Sequence, residues 1–546
     1  MNQRFLKFNR GTMECLDNRR IRFSDNGSFV WEMNVVAEDL KSLYVKIMVA
    51  AFCAGMLEMP TVFAAPPKIT VQGVLPGDNM TAGQPTAGSI RSGMAGKNMK
   101  GEAPHILKFK INGLGRLEDI RIENKTKLHE GAIRRQIAFL KIGKPVSAKD
   151  VQRAAGLISD LSGVEAVVTA DKGTAPGSAV LTIMVVPDTS PSGSFTLDHY
   201  GYRTLGYGEA AINYDIRNLT HEGDSLFTHI ETTGHRYTNG DIIYSRPIGK
   251  NGLTLKAGYS RLRYHQGSDF AEYDPVGMAK LYHVGIEYPI HRSQTHNLKV
   301  GLTYEYSDVQ DEYRSGDTFF LQAKPFGPPT QRYYKTYNNK HSHAGILSLS
   351  GNDLDKNGMT AWTLAYKFGR VTFDDDVTHH FFDDARSEGS YSKFTASVMR
   401  HQKINKRLAL QLFARGQYAN KNMDTTDRMG ICGISGLRAY PISEIAGDHA
   451  YFTRAELLWD IPLQAKMQKI QLATYLEHGG IKIAKKQFTP GENYRHLQDI
   501  GLGVIWSKKD AWWIRADYAW RLGPEKPISD TSHTNGHFWI QGGLYF

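Results

Sequence analysis

The densest group of residues that could do chemistry lies between positions 374 and 384. Asp374–Asp376, His379–His380 and Asp383–Asp384 bring carboxylates and imidazoles into one short segment. Such oxygen ligands could hold a divalent cation. A charged run of this kind is more often a solvated loop, which is the interpretation that we favour. We therefore predict an extracellular loop here and no metal site.

No pattern in the sequence identifies an enzyme. A hydrolase would need a Ser or Asp held beside a His. The 20 histidines show no spacing that is diagnostic of such a site. No Gly-Lys-Ser/Thr loop occurs, which argues against local ATP hydrolysis. We predict neither a catalytic residue nor a cofactor.

Cysteine content and charge exclude two further classes of protein. If a signal peptide is removed, Cys432 alone remains of the three cysteines, so neither an intrachain disulfide nor a zinc finger can form. The net charge of +11 could indicate nucleic-acid binding. Beyond the N-terminal segment, however, the basic residues are scattered, in runs no longer than pairs such as Arg134–Arg135. We predict a cationic lumen and cationic loops, and no nucleic-acid partner.

The N-terminal segment has the pattern of a secretion signal. Lysines precede an apolar run at 47–57, and Val62 and Ala64 are small enough for the two subsites of signal peptidase. We predict cleavage after Ala64. Residues 1–64 are then either an extended signal peptide or a shorter one that starts at a later methionine such as Met33. The run is too short to span a bilayer.

Residues 65–103 and 104–188 differ sharply in pattern. The first segment is rich in Gly, Pro, Ala and Ser without apolar periodicity, which predicts a flexible linker. The second is predicted to be a compact α+β domain with helices on one face of a small sheet. Its predicted elements are strands at 106–111 and 117–122, a helix through Ile133, Ile137 and Leu140 that ends at Gly143, a helix that opens at Ser147 with Asp150 as a capping partner, and strands at 164–170 and 179–186.

From 190 to 546 apolar and polar residues alternate as in β-strands. Leu298, Val300, Leu302 and Tyr304, for example, alternate with small and polar residues, and aromatic residues recur at strand ends. A soluble β-sandwich would also alternate, but regular aromatic ends are the girdle of a membrane barrel. The aromatic content of 11% fits this interpretation. We predict an outer-membrane antiparallel β-barrel over 190–546, whose C-terminal signature is Phe546 at the end of the last strand.

Alternation does not fix the number of strands. A transmembrane strand takes about 9–11 residues, so sixteen strands fit the available length with room for loops. Twelve or eighteen would also fit. We adopt sixteen.

The segment at 433–441, which reads GISGLRAYP and is followed by Glu444 and Asp448, resembles the inward-folded loop of two-partner secretion (TpsB) transporters. That family exports haemolysins and filamentous adhesins. The α+β domain is similar to its polypeptide-transport-associated (POTRA) module, and the stretches at 198–201 and 244–247 are similar to its first barrel strands. The resemblance implies a pore-loop tip made of Gly436, Leu437, Arg438, Ala439 and Tyr440.

Two departures from the family pattern matter. Most members have two POTRA modules, whereas this chain has room for one well-formed copy, with 106–111 as a remnant of another. Many members also have a helix that plugs the pore, and residues 65–103 show no amphipathic pattern for one. The resemblance therefore does not extend to a plug.

The family pattern also implies a partner for Arg438. An acidic residue stands in an aromatic-x-Asp-x-Gly motif, and here Glu477 occupies the matching place within Tyr475–Gly479. We predict that Arg438 and Glu477 form a charge-assisted pair that anchors the loop to the barrel wall. A lone Arg438 lining the wet lumen is the alternative. If the pair forms, exchanging the two charges is expected to restore secretion in part.

Three functions remain open at this point. The preferred one is export of one large partner exoprotein, of the haemolysin or adhesin type, across the outer membrane. The second is a barrel-assembly factor of the same superfamily, and the third is a passive porin. The further partners expected are outer-membrane lipid and, during biogenesis, the barrel-assembly machinery, with the POTRA-like domain in the periplasm.

Overall fold

The computed structural model describes residues 5–8, 11–17, 20–25, 29–34, 115–271, 273–319, 330–374, 383–442, 444–463, 467–529 and 535–546. The predicted linker at 65–103 and the predicted short strand at 106–111 lie outside the described residues. Most of the aspartate- and histidine-rich segment between 374 and 384 does so as well.

Four short strands precede the α+β domain and pair in sequence order as a separate antiparallel sheet. They are β1 (Phe5–Phe8), β2 (Gly11–Asp17), β3 (Arg20–Asp25) and β4 (Phe29–Asn34). The signal-peptide pattern did not predict this sheet. The assignment of residues 1–64 to a signal peptide stays a prediction.

The α+β domain has the predicted order of strand, helix, helix, strand, strand. Its central strand is β7, flanked by a parallel β5 and an antiparallel β6. Both helices pack apolar side chains such as Ile133, Val151 and Ile158 into a core shared with Leu181 and Ile183 of the central strand. The elements are β5 (Arg116–Asn124), α1 (Glu130–Gln136), α2 (Ala148–Ser159), β6 (Val164–Lys172) and β7 (Ser178–Pro187).

The start of α2 follows the sequence pattern, whereas the end of α1 does not. Ser147 and Asp150 form a reciprocal capping box at the start of α2. The first helix was predicted to continue to Gly143, but it ends at Gln136. The chain must leave the helix there because Gly143 donates its N–H to the Leu117 carbonyl at 2.7 Å, which lays the segment beside β5.

The barrel is closed and has sixteen antiparallel strands, as predicted. Its last strand pairs with its first from Gln541–Asp198 to Tyr545–Ser194. The barrel strands are β8 (Gly193–Asp198), β9 (Glu209–Arg217), β10 (Ser225–Thr232), β11 (Tyr237–Pro247), β12 (Thr254–His265), β13 (Val276–Arg292), β14 (His296–Phe319), β15 (Thr330–Asp355), β16 (Gly358–Phe373), β17 (Gly389–Lys403), β18 (Leu408–Ala419), β21 (His449–Ile461), β22 (Gln468–Lys482), β23 (Tyr494–Lys508), β24 (Trp512–Leu522) and β25 (Gly536–Tyr545). Two minimal strands, β19 (Met429–Gly430) and β20 (Ala446–Gly447), pair inside the connection between β18 and β21.

Alternation along the barrel strands separates an apolar outer face from a polar interior. In β23 every second residue from Tyr494 to Lys508 is exposed and its neighbours are buried. Ile500, Leu502 and Trp506 lie on the outer face. Charged side chains such as Asp499 point inward and are buried. This is the pattern of a strand with lipid on one side and a lumen on the other.

The α+β domain packs against one end of the barrel, which we call the domain-side end. Arg292 at the end of β13 donates to both carboxylate oxygens of Asp160, at 2.9 and 3.0 Å. Burial alone would raise the pKa of Asp160, but Arg292 and Lys299 outweigh it and hold this pKa below its ordinary value. The Ser162 N–H donates to the Gly223 carbonyl at 3.0 Å. These contacts fix which barrel end the domain occupies.

Among the described residues, no helix is long and apolar enough to cross a membrane.

Candidate functional site: an arginine-tipped loop inside the barrel

The connection between β18 and β21, residues 420–448, enters the barrel from the end opposite the α+β domain. We call these residues the pore loop. The tip predicted from sequence lies inside, since Leu437, Ala439 and Tyr440 are each 0% exposed. A loop that was merely extracellular would leave such side chains in water. The tip of the loop is therefore folded into the barrel.

Two glycines give the tip its shape. Gly433 has a φ of +86°, which side chains rarely adopt. At Gly436 an added Cβ would lie 2.1 Å from the Ile431 carbonyl oxygen. The tip closes where the Leu437 N–H donates to that carbonyl at 2.8 Å. This tight turn presents Arg438 to the barrel wall.

The structure brings Arg438 and Glu477 together. The Arg438 backbone N–H donates to Glu477 Oε2 at 2.8 Å, and its Nε lies 3.4 Å from Oε1. The guanidinium also lies 3.2 Å from Asp517 and 3.5 Å from Glu456, and 4.0 Å over the ring of Tyr475. Arg438 is 2% exposed, so the alternative of a lone arginine in the open lumen does not fit the geometry.

Two arginines of the wall share the same carboxylates. Arg454 contacts Glu477 at 2.5 Å and donates to the Gly436 carbonyl at 3.2 Å. Arg515 contacts Glu456 at 2.6 Å and Asp517 at 2.7 Å. Three guanidinium groups thus alternate with three carboxylates, and each buried charge has opposite charges beside it. That is the condition under which buried ions are tolerated. We call these six residues the tip network.

The other tip residues are held by hydrogen bonds. The Ala439 N–H donates to Asp499 at 2.9 Å, and Trp539 Nε1 donates to the Arg438 carbonyl at 2.6 Å. The Tyr440 hydroxyl donates to the Glu525 carbonyl at 3.2 Å. Further along the loop, Glu444 pairs with Arg495 at 2.8 Å. The tip is therefore attached to β21–β25.

The base of the pore loop is attached to a different sector of the wall. Asp427 lies 3.0 Å from Lys367 and 3.2 Å from Lys393, and Asp424 lies 2.8 Å from Lys340. All five of these side chains are buried. The three lysines come from β15, β16 and β17, and we call them the lysine wall. The loop is thus fixed at both its tip and its base.

Sequence reasoning identified Arg438 and Glu477 but missed their surroundings. It did not find Glu456, Asp517, Arg454, Arg515 or Asp499, nor the lysine wall with Asp424 and Asp427. All except the two loop aspartates lie at inward positions of alternating strands. The sequence could therefore have indicated that these side chains point into the barrel. Dozens of other positions point inward as well, so alternation does not tell which of them contact the loop.

The remaining predicted site residue, Phe546, follows the last strand. Its carbonyl accepts from the N–H groups of Ser192 and Gly193 at 2.9 and 2.8 Å. Its ring stacks on Tyr214 with a centroid distance of 6.1 Å and is 55% exposed on the outer face. It therefore lies at the domain-side end of the seam that closes the barrel.

The described residues contain no group of three or more His, Cys, Asp or Glu side chains placed to hold a metal ion. Within the aspartate- and histidine-rich segment, Asp374 pairs with His341 at 2.7 Å, and Asp383 accepts from the Ser387 hydroxyl at 2.7 Å. These are ordinary local contacts.

A match to a family model shows to which protein family the chain belongs. The model of the haemolysin secretion/activation proteins ShlB/FhaC/HecB matches residues 177–315 and 336–503, more than half of the chain. The chain belongs to this family. It is therefore an outer-membrane transporter that exports a partner protein by two-partner secretion, and the resemblance stated from sequence is confirmed. The family is one of transporters and not of enzymes.

Distant relatives agree in sequence and in fold. The heme/hemopexin transporter protein HuxB of Haemophilus influenzae is 20% identical over 435 residues, which cover 78% of this chain and 73% of HuxB. CdiB from Escherichia coli matches with a TM-score of 0.62 and 16% identity over 79% of this chain and 76% of CdiB. CdiB from Acinetobacter baumannii gives 0.60 and 16% over 79% and 74%. The family match favours export over barrel assembly and over a passive pore.

Proposed function

We propose that this transporter exports one large exoprotein of the haemolysin or adhesin type, and that the pore loop is the movable element in its path. The observation that carries the proposal is the double attachment of the loop, through the tip network and the lysine wall. Both attachments are ionic and can exchange their partners for water when the loop moves. HuxB is named as a heme/hemopexin transporter, which makes a secreted ligand-binding protein one candidate class of cargo.

Deletion of the gene, followed by analysis of the culture medium and of the outer membrane, tests this function. Export of one cargo predicts that a single large exoprotein disappears from the medium while other outer-membrane proteins stay at normal levels. A general loss of outer-membrane proteins would instead support a role in barrel assembly.

We further propose that the α+β domain stands in the periplasm and captures unfolded cargo by strand addition at β6. Among the described strands, β6 pairs only with β7. The outer edge of β5 is partly covered, since Leu117 exchanges hydrogen bonds with Lys144 and Gly143. An extended cargo segment can pair with a free strand edge through backbone groups alone, with little demand on its sequence.

Two hydrogen bonds show which backbone groups of β6 point to its free edge. The Gly173 N–H donates inward to the Ser178 carbonyl at 3.0 Å, whereas the Ala166 N–H donates away from the sheet to the Ser159 hydroxyl at 3.0 Å. Backbone direction alternates along a strand. The N–H groups of Val168 and Ala170 therefore point outward.

Replacing Ala170 by proline removes an edge N–H without breaking the ladder to β7. We expect export to fall about three- to tenfold when cargo is limiting, because a lost hydrogen bond costs about 1 kcal/mol. Export is measured as secreted cargo per assembled barrel. Ala170→Val is the matched control, since it retains the N–H and should export normally. Equal export by both variants would exclude β6 as the acceptor edge.

We also propose that Phe546 is read by the barrel-assembly machinery during biogenesis. Its exposed ring on the outer face at the end of the last strand supports this role.

A further inference from the structure

We propose that Arg261 and Arg263, with Lys280 beside them, bind the phosphate groups of an outer-leaflet glycolipid of the lipid A type. We call these three residues the basic patch. This inference rests on the proposed orientation of the barrel, with the α+β domain in the periplasm. It concerns the outer wall of the barrel and not the export path.

The outer face carries a row of aromatic side chains just below the patch. Tyr259, Tyr282 and Tyr306 come from three neighbouring strands, with ring centroids 4.9 and 6.1 Å apart in sequence order. On β13 the exposed apolar band runs from Tyr282 to Ile290 toward the domain-side end. Aromatic rows of this kind mark the level where hydrocarbon gives way to headgroups.

The basic patch lies one step beyond this row, away from the α+β domain. On β12, Arg261 and Arg263 point to the same outer face as Tyr259 and are exposed. Leu262 and Tyr264, which alternate with them, point inward and are buried. On β13, Lys280 points to the same outer face as Tyr282 and is paired directly opposite Arg261. The three charges therefore lie at headgroup level.

The two arginines of the patch differ from Lys280 in their ion pairing. In the part of the chain that the structure describes, neither Arg261 nor Arg263 has an acidic partner, whereas Lys280 pairs with Asp308 at 3.2 Å. On the other side, their cross-strand neighbours on β11 are Gly240 and Thr238. These small, uncharged residues leave the guanidinium groups open to a ligand.

The chemistry of the patch favours phosphate on a lipid. A guanidinium group is planar and offers several N–H donors whose geometry suits phosphate oxygens. Two guanidinium groups on the same face of one strand can bind two phosphate groups, or can bind one phosphate group from two sides. Two neighbouring cations at a membrane surface repel one another unless an anion lies between them. The acyl chains of the same lipid would cover the apolar band below the aromatic row.

Purified full-length protein in detergent, examined by native mass spectrometry, tests this proposal. Diphosphoryl lipid A is the probe, with phosphatidylglycerol and inorganic phosphate as comparisons. We expect the wild type to retain lipid A in preference to phosphatidylglycerol. The double variant Arg261→Gln/Arg263→Gln should lose about tenfold or more in apparent affinity, since each tenfold corresponds to about 1.4 kcal/mol and charge-assisted pairs are lost.

The matched control is Arg246→Gln. Arg246 is also an exposed arginine, on β11 near the domain-side end, so it should leave lipid A binding unchanged. If the double variant does not assemble, the single variants Arg261→Gln and Arg263→Gln replace it. Equal binding by the variants and the wild type would overturn the proposal. So would equal retention of phosphatidylglycerol, or displacement of lipid A by millimolar inorganic phosphate. None of these outcomes bears on export, which is measured separately.

Discussion

Replacing Arg438 by glutamine is expected to lower export at least tenfold. The change leaves Glu456, Glu477 and Asp517 with only two arginines, so one carboxylate loses its compensation inside the barrel. Removing one partner of a buried ionic group typically costs about 3–5 kcal/mol. A penalty of that size is enough to displace the loop tip from its place on the wall. Export is measured as secreted cargo per folded barrel, with heat-modifiable gel mobility to confirm assembly.

The structure changes which double variant is informative. The exchange of Arg438 and Glu477 was expected from sequence to restore secretion in part. In the structure it would place a new arginine at 477 against Arg454, which contacts that position at 2.5 Å, and a new glutamate beside Glu456 and Asp517. We now expect the exchange to fail.

A charge-balanced variant should succeed where the exchange fails. Adding Asp517→Asn to Arg438→Gln leaves two arginines and two carboxylates, and we expect it to recover part of the lost export. Glu444→Gln added to Arg438→Gln is the matched control, because Glu444 is a buried carboxylate of the loop that pairs with Arg495 and not with the three guanidinium groups. Wild-type export by Arg438→Gln alone would refute the anchoring role of Arg438.

The second large effect is expected at the base of the loop. Lys367 and Lys393 stand directly opposite each other on β16 and β17, and Asp427 bridges them. In Asp427→Asn the described residues leave Glu305, 2.9 Å from Lys367, as the one carboxylate beside two neighbouring buried ammonium groups. Lys393 then keeps neutral acceptors, the Gln417 side chain at 3.2 Å and the backbone carbonyl of residue 427 at 2.9 Å. We expect the loop base to detach and the pore to open more often, seen as more frequent and larger current steps in planar lipid bilayers.

Matched variants separate this explanation from general destabilisation. Among the described residues Asp424 pairs with a single lysine, Lys340 at 2.8 Å, so Asp424→Asn should give a smaller rise in current. Adding Lys393→Gln to Asp427→Asn removes the repulsion and should return the current toward the wild-type level. The same current from Asp427→Asn and the wild type would show that the lysine wall does not hold the loop.

Local patterns in the sequence predicted much of the fold. Alternation separated lipid-facing residues such as Leu502 and Trp506 from inward ones because this property needs only strand parity. The capping box at Ser147 is likewise local. The end of the first helix depended instead on the pairing of Gly143 with Leu117, which is a tertiary contact and leaves no mark in helical periodicity.

The site was harder to predict because its contacts depend on register and closure. Arg454 meets Glu477 only because β21 and β22 pair in one register, and a shift by one residue would turn one of them outward. Arg515 meets Glu456 across strands that are not neighbours, which requires the curvature of the closed barrel. The predicted pair of Arg438 and Glu477 came from family resemblance and not from these geometric constraints.

The native thiol of Cys432 offers the most direct test of a pore loop folded inside the barrel. Cys432 lies in the loop next to the tip turn and is 8% exposed. Intact cells are treated with a membrane-impermeant maleimide, and the peptide that contains Cys432 is quantified by mass spectrometry. We predict little labelling in the wild type and strong labelling in Arg438→Gln and Asp427→Asn. Rapid labelling of the wild type, at the rate of a cysteine placed in an extracellular loop, would contradict the account.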